Sequence, residues 1–263
     1  MDFHKHVPPI LYKYRDWSDE YQKRLLTDGE LYFASADQFN DPFDCSIPFR
    51  YKEEELTDEN LFRKYIELAK EFNPDMNDTQ LHQFAFEAHQ KDLIHDSEYI
   101  RKTNEHFSKR FNKEWGILSL TPKDDNFLMW SHYSRSHSGF CVGLNSYLLY
   151  KQVNGIPNKV IYETEFPEFG LFDDRGESFV KSTFYKSEIW EYEDEYRIVK
   201  NSYSRKVVTL SPDILEEIIF GAKMEQSLRF ELLELINDKY PDARVYEFKL
   251  HGSRFEMVKT QIR

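Results

Sequence analysis

An α+β fold is predicted by three features of this chain. Short runs rich in β-branched and aromatic residues occupy its start and its second half. A long charged stretch between them carries helical periodicity, and the last runs close as strand, helix, strand. The steady strand–helix alternation of a doubly wound sheet is missing. At 263 residues the chain is expected to form a single domain, 1–263, with a helical insertion at about 53–113.

Taken in order, Ile10–Arg15 reads as a strand, and Ser18 as the N-cap of a short helix reaching Thr27, which Asp28-Gly29 ends. Glu30–Ser35 is a second strand, and Gln38–Asp44 is a loop whose turn formers are Asn40, Asp41 and Pro42. From about Leu56 to Phe111, Leu, Phe and Tyr recur at helical spacing among many charges. This predicts two or three amphipathic helices, broken near Asn73-Pro74 and Asp96-Ser97. Gly116–Thr121 returns to strand character, Asn126–Ser134 is helical, and Gly139–Leu144 and Lys159–Glu163 are strands. The stretch holding Pro167, Gly170 and Gly176 reads as loop. Glu191–Ile198 and Ile218–Gly221 are strands, Gln226–Asp238 is a helix, and Arg244–Leu250 is the last strand.

The net charge of −12 argues against a broad basic surface for duplex nucleic acid, while leaving open a local basic groove or a small-molecule site. Cys45 and Cys141 follow no metal-binding spacing and suggest a reducing, cytoplasmic compartment without a disulfide framework. No apolar run approaches membrane-spanning length and the first residues do not read as a signal peptide, so no membrane partner is expected.

The densest chemistry lies in Trp190-Glu-Tyr-Glu-Asp-Glu-Tyr-Arg197. As a strand, it would send Glu191, Glu193 and Glu195 to one face and Tyr192, Tyr196 and Ile198 to the other. Like charges along one face repel, so that face is either solvated and balanced by lysines or an acidic wall of a cleft. A second cluster runs from Ser119 and Thr121 through Trp130, His132 and Tyr133 to His137 and Gly139. The two hydroxyls share a strand face, and Trp130 and Tyr133 share a helical one. They could line a site or simply pack and hydrogen-bond. Arg15 ends the first strand, where it could hold a phosphate or pair with Asp16. His132 and His137, with Asp41, Asp44, Cys45 and Cys141 as further donors, would be needed for a metal site, but their spacing matches no zinc motif and no metal is expected.

Leu-Tyr-Lys-Tyr-Arg15, Phe39-Asn-Asp-Pro-Phe-Asp44, Met129-Trp-Ser-His-Tyr133 with His137-Ser-Gly-Phe-Cys141, and the acidic segment together resemble a widespread bacterial family known as a domain of unknown function. The order of pieces is also similar to that of ADP-ribosyltransferases. These have a strand ending in Arg or His, then a helix and strand, a Ser/Thr strand, a helix with an aromatic, and a strand bearing Glu-x-Glu. That resemblance implies a split β-sheet core with the helical stretch as an insertion and a C-terminal β-α-β element. It implies NAD as substrate, with Arg15, Glu193 and Glu195 as the catalytic set. Arg15, Asn40, Ser119, Thr121, Trp130, His132, Tyr133 and His137 would hold the dinucleotide. Positive charge develops on the ribose as the glycosidic bond breaks, so a carboxylate there stabilises the transition state more than the ground state. The implied role is that of a toxin or phage-defence effector with a protein or nucleic-acid acceptor and a possible cognate inhibitor. The alternatives are a metal-dependent hydrolase or nuclease, and a non-enzymatic interaction module.

Overall fold

The computed structural model describes residues 3–263. Its strands are β1 (Ile10–Arg15), β2 (Glu30–Phe33), β3 (Trp115–Leu120), β4 (Phe140–Asn145), β5 (Asn158–Lys159), β6 (Ile161–Glu163), β7 (Tyr185–Ser187), β8 (Tyr196–Asn201), β9 (Lys206–Thr209), β10 (Leu215–Phe220), β11 (Arg244–Leu250) and β12 (Met257–Gln261). Its α-helices are α1 (Arg24–Thr27), α2 (Asp58–Phe72), α3 (Asp78–Gln90), α4 (Ser97–Glu114), α5 (Phe127–Tyr133), α6 (Ser146–Val153), α7 (Arg175–Phe184) and α8 (Gln226–Lys239). The fold is mixed α+β with several sheets. It divides into two compact units, one of Met1–Gln38, Glu114–Tyr162 and Glu188–Arg263, the other of Phe39–Lys113 and Glu163–Ser187.

The first unit is built on a five-stranded sheet ordered β1-β4-β10-β11-β12. Strand β4 is buried on both faces, as a central strand covered on each side must be. On one face Leu11, Phe140, Val142, Leu144, Ile218, Phe220 and Val245 join the main core, together with Leu25 and Leu26 of α1, Leu149 of α6 and Leu232 and Ile236 of α8. On the other, Tyr12, Tyr14, Cys141, Ile219 and Phe248 pack against Met129 and Trp130 of α5. Each fully buried Leu or Phe here contributes about 1.5–3 kcal/mol. The closing β-α-β is present: β10 and β11 run parallel, with α8 between them in sequence.

Smaller sheets, β3-β8-β5 and β2-β9, feed Leu31, Phe33, Leu118, Leu120 and Ile198 into the main core. Single antiparallel bridges tie Ala34 to Ile117 and Tyr12 to Thr121. Strand β1 therefore bonds to β4 and, at Tyr12, to the residue following β3, and the two sheets part along it.

The second unit holds the helical stretch expected at 53–113 together with 39–52 and 163–187. Local side chains set its boundaries. The Thr57 hydroxyl accepts from the Asn60 N–H (3.3 Å), and Asn77 and Gln80 form a reciprocal capping box. Leu61, Tyr65, Ala85, Ala88 and Leu171 form its core.

Several sequence expectations need correction. The helix from Ser18 shrinks to α1, because Asp16 and Asp19 carboxylates accept from the Ser18 and Tyr21 N–H groups (2.8 Å each) and hold turns instead. Glu191–Ile198 is not one strand. A 3-10 turn spans Glu188–Glu193, Asp194 is left-handed (φ 47°), and β8 starts only at Tyr196. A strand would have aligned three carboxylates on one face, whereas the turn gives Glu193 and Glu195 separate donors. Helices α6 and α7 and strands β9 and β12 were not anticipated. The signal for α7 was Asp174 three residues before Glu177, whose N–H the Asp174 side chain accepts (2.8 Å).

Candidate functional site

Around residues 193–197 the first unit buries charges of a kind almost never fully buried unless paired. Glu193 and Glu195 are each 4% exposed and Arg197 is fully enclosed. Arg197 Nε and Nη2 donate to the two Glu195 carboxylate oxygens at 2.7 and 2.9 Å, a bidentate fork. Glu195 immediately precedes β8 and Arg197 is its second residue, so the two side chains meet at the start of the strand. Tyr133 Oη, at the end of α5, donates to Glu193 Oε1 at 2.6 Å. The Glu195 backbone N–H donates to Tyr162 Oη (2.8 Å), and Lys159 pairs with Asp194 (2.7 Å). Each carboxylate is thus fixed by a different donor in a water-poor setting.

A second focus lies where β1 ends. After α5 the chain takes three consecutive left-handed residues, Arg135, Ser136 and His137, with φ of 49°, 51° and 71°. None is glycine, so this turn holds backbone strain of order 1–3 kcal/mol per residue that surrounding bonds must over-determine. They do: His137 N–H donates to Trp130 O (3.1 Å), Gly139 N–H to Ser134 O (2.7 Å), Gly221 N–H to Gly139 O (2.9 Å) and Lys223 N–H to His137 O (2.9 Å). Gly139 is required because a Cβ there would lie 2.1 Å from the Arg15 carbonyl oxygen. Beside this turn opens a cleft of about 120 Å³ lined by Trp17, Ser18, Arg135, Ser138, Lys223 and Glu225 among others. It has room for a phosphate, not for a dinucleotide. Arg15 is half-buried, and Nη1 donates to the Tyr14 carbonyl oxygen (3.4 Å). Burial lowers its guanidinium to about 10, with Asp19 opposing the shift, so it remains cationic at neutral pH.

The remaining expected site residues separate into several settings. Trp130 is fully buried, edge-on to Tyr14 and Phe248 (centroids 5.1 and 5.6 Å), with Nε1 donating to Asp124 O (2.7 Å). It is core and lines no cleft. Thr121 is buried, and its hydroxyl accepts from the Lys123 N–H (3.1 Å). Ser119 is half-buried opposite Arg197 in the β3–β8 ladder, and its carbonyl accepts from Lys13 Nζ (2.6 Å). His132 is exposed, its ring 6.2 Å from Tyr133 and 6.4 Å from Tyr192. His137 is 4% exposed against Phe127 (4.4 Å), with no hydrogen-bond partner at Nδ1. Burial, then Lys223, lowers the pKa of its imidazole. Asn40 is exposed and belongs to the second unit.

That second unit has its own buried polar group. Asp44 pairs with Lys186 (3.4 Å), and Cys45 Sγ lies 3.5 Å from Asp44 Oδ1 and 3.6 Å from the Thr183 carbonyl. Among the described residues no three His, Cys, Asp or Glu side chains are arranged to hold a metal ion. No described helix is long and apolar enough to cross a membrane. Burial pushes the Cys141 thiol well up, which leaves it unreactive. Sequence reasoning overlooked Arg197, Tyr162, Arg135 and Lys223. Arg197 had a signal, an arginine two residues after Glu195. The others are brought in by tertiary contacts with no local pattern.

Residues 129–198, from α5 to β8, match the model of a family described as "Protein of unknown function (DUF2971)". The match takes in two of the quoted motifs, Met129–Tyr133 with His137–Cys141, and Trp190–Arg197. No curated protein and no solved structure matches the chain.

Proposed function

We propose that the first unit binds NAD and breaks its glycosidic bond, passing ADP-ribose to an acceptor or to water, in the manner of an ADP-ribosyltransferase. The observation that carries this reading is the pair of buried carboxylates, Glu193 and Glu195, each oriented by a fixed donor. A preorganised negative group in a water-poor site is what the developing ribose cation requires. The bidentate fork from Arg197 fixes the orientation of the Glu195 carboxylate. Glu193, held by Tyr133, orients the acceptor. The cleft beside Arg135 and Lys223 suits one phosphate of the dinucleotide, with Arg15 preceding the Asp16–Ser18 wall of that cleft, and the parting of two sheets along β1 is compatible with the split core of that class. The associated role is that of a toxin or phage-defence effector.

Glu195→Gln would strand the buried Arg197 charge and so confound activity with folding. The sounder test titrates wild type, Glu193→Gln and Arg15→Ala with NAD in a calorimeter and follows nicotinamide release. Saturable binding weakened about tenfold or more in Arg15→Ala, with turnover lost in a stably folded Glu193→Gln, is the expected result. Absence of NAD binding by well-folded wild type would remove the mechanism.

A further inference from the structure

The second unit is acidic overall, with Asp and Glu outnumbering Lys and Arg. Its helix α4 nevertheless sorts its charges. Ile100, Asn104, Phe107 and Phe111 turn inward: Phe107 lies 5.3 Å from Phe49 and 6.0 Å from Phe111, and the Asn104 side chain accepts from the Phe49 N–H (3.3 Å). On the opposite side Lys102, His106, Lys109 and Lys113, spaced by four, three and four residues, form one exposed row along about 16 Å of helix. Exposed Tyr99 continues the row at its N-terminal end. Lys102 reaches Glu98 (3.2 Å), whereas Lys109 and Lys113 make no ion pair with any described residue. Arg101 pairs with Glu98 and Glu105 on one flank, so Glu98 is shared between Arg101 and Lys102.

We infer that this row binds a single-stranded nucleic acid, its cations tracking consecutive phosphates and Tyr99 stacking on a base. A narrow cationic row with an aromatic at its end is the arrangement that follows one strand. The flanking glutamates and the acidic remainder of the unit repel the second backbone of a duplex. An acidic peptide would be served equally by the lysines but would have no use for the exposed ring. The inference goes beyond the NAD reading and does not depend on it.

Fluorescence anisotropy of the full chain without NAD, using a labelled oligouridylate, its duplex and labelled polyglutamate, tests it. Saturable binding of the single strand is expected, with log affinity falling against log salt at a slope of about −2, or roughly −0.7 for each of three lysines. Combined Lys102→Glu, Lys109→Glu and Lys113→Glu should weaken it more than about tenfold with an unchanged melting curve, and Tyr99→Ala should weaken it without altering the salt slope. Equal binding by wild type and the triple variant, a duplex or polyglutamate bound as tightly as the single strand, or no binding at all would each overturn it. None of these outcomes bears on NAD binding or nicotinamide release.

Discussion

Residues 193–197 and residues 98–105 contain the same ingredients, glutamates beside an arginine, and use them in opposite ways. In the first segment the Glu195–Arg197 fork is enclosed, with side chains 5% and 0% exposed. In the second, Arg101 pairs with Glu98 and Glu105 on an open helix face, all about half exposed. Ion pairing on α4 follows from helical spacing alone and trades one set of solvated contacts for another. Enclosing the fork removes charges from water at a cost that only good geometry offsets. Expense of that kind separates the 193–197 segment from the α4 pairs, and it is shared by the enclosed Asp44–Lys186 pair of the second unit.

The largest effect should come from removing one partner of the fork. Arg197→Ala leaves Glu195 enclosed without its counter-charge and is expected to cost about 3–5 kcal/mol, read by denaturant unfolding. A loss below about 1 kcal/mol would make the fork no different in kind from the α4 pairs.

An intermediate effect concerns His137, whose contrast with exposed His95, bonded to Asp92 at 2.6 Å, repeats the theme. The unfolded imidazole titrates near about 6.5. Burial, then Lys223, places the folded value lower. Between the two values the unfolded chain binds more protons, so stability is fully present above about pH 6.5 and falls as pH drops through the folded value. His137→Asn, which tolerates the left-handed backbone, should flatten that acid-side slope in melting curves taken across pH. An unchanged slope would assign the acid sensitivity elsewhere. The smallest effect is expected for Arg101→Ala, with a melting temperature indistinguishable from wild type. A clear drop would show that the open pairs matter as much as the enclosed one.

Elements set by local patterns were legible in the sequence. Strands β1 and β11 fall at the aromatic and β-branched runs read as strands, and α2, α3 and α4 break near Asn73-Pro74 and Asp96-Ser97 as the spacing predicts. The acidic segment misled because alternation is a property of strands, while Asp194 adopts a left-handed conformation, with its N–H donating to Glu191 O (3.1 Å) in a turn. Glu193 and Glu195 were identifiable as a cluster, but Tyr133, which donates to the Glu193 carboxylate, and Tyr162, which accepts from the Glu195 N–H, lie far away in sequence. Trp130 was ambiguous for a simple reason: a tryptophan on a helix looks the same to the sequence whether it lines a cleft or, as here, fills a core.

The division of the first unit into three chain segments has a consequence for how the protein is made. On the ribosome β1 emerges well before its partner β4, which follows only after α2, α3 and α4. Glu30 of β2 finds Thr209 later still. The first unit's sheets therefore assemble from distant pairings that a nascent chain cannot complete early, while α2 and α3 can pair as soon as they emerge. Until its last segment emerges, the unit's apolar strands stand open to mispairing, so its yield in a cell depends on how quickly translation finishes and on what shields those strands meanwhile.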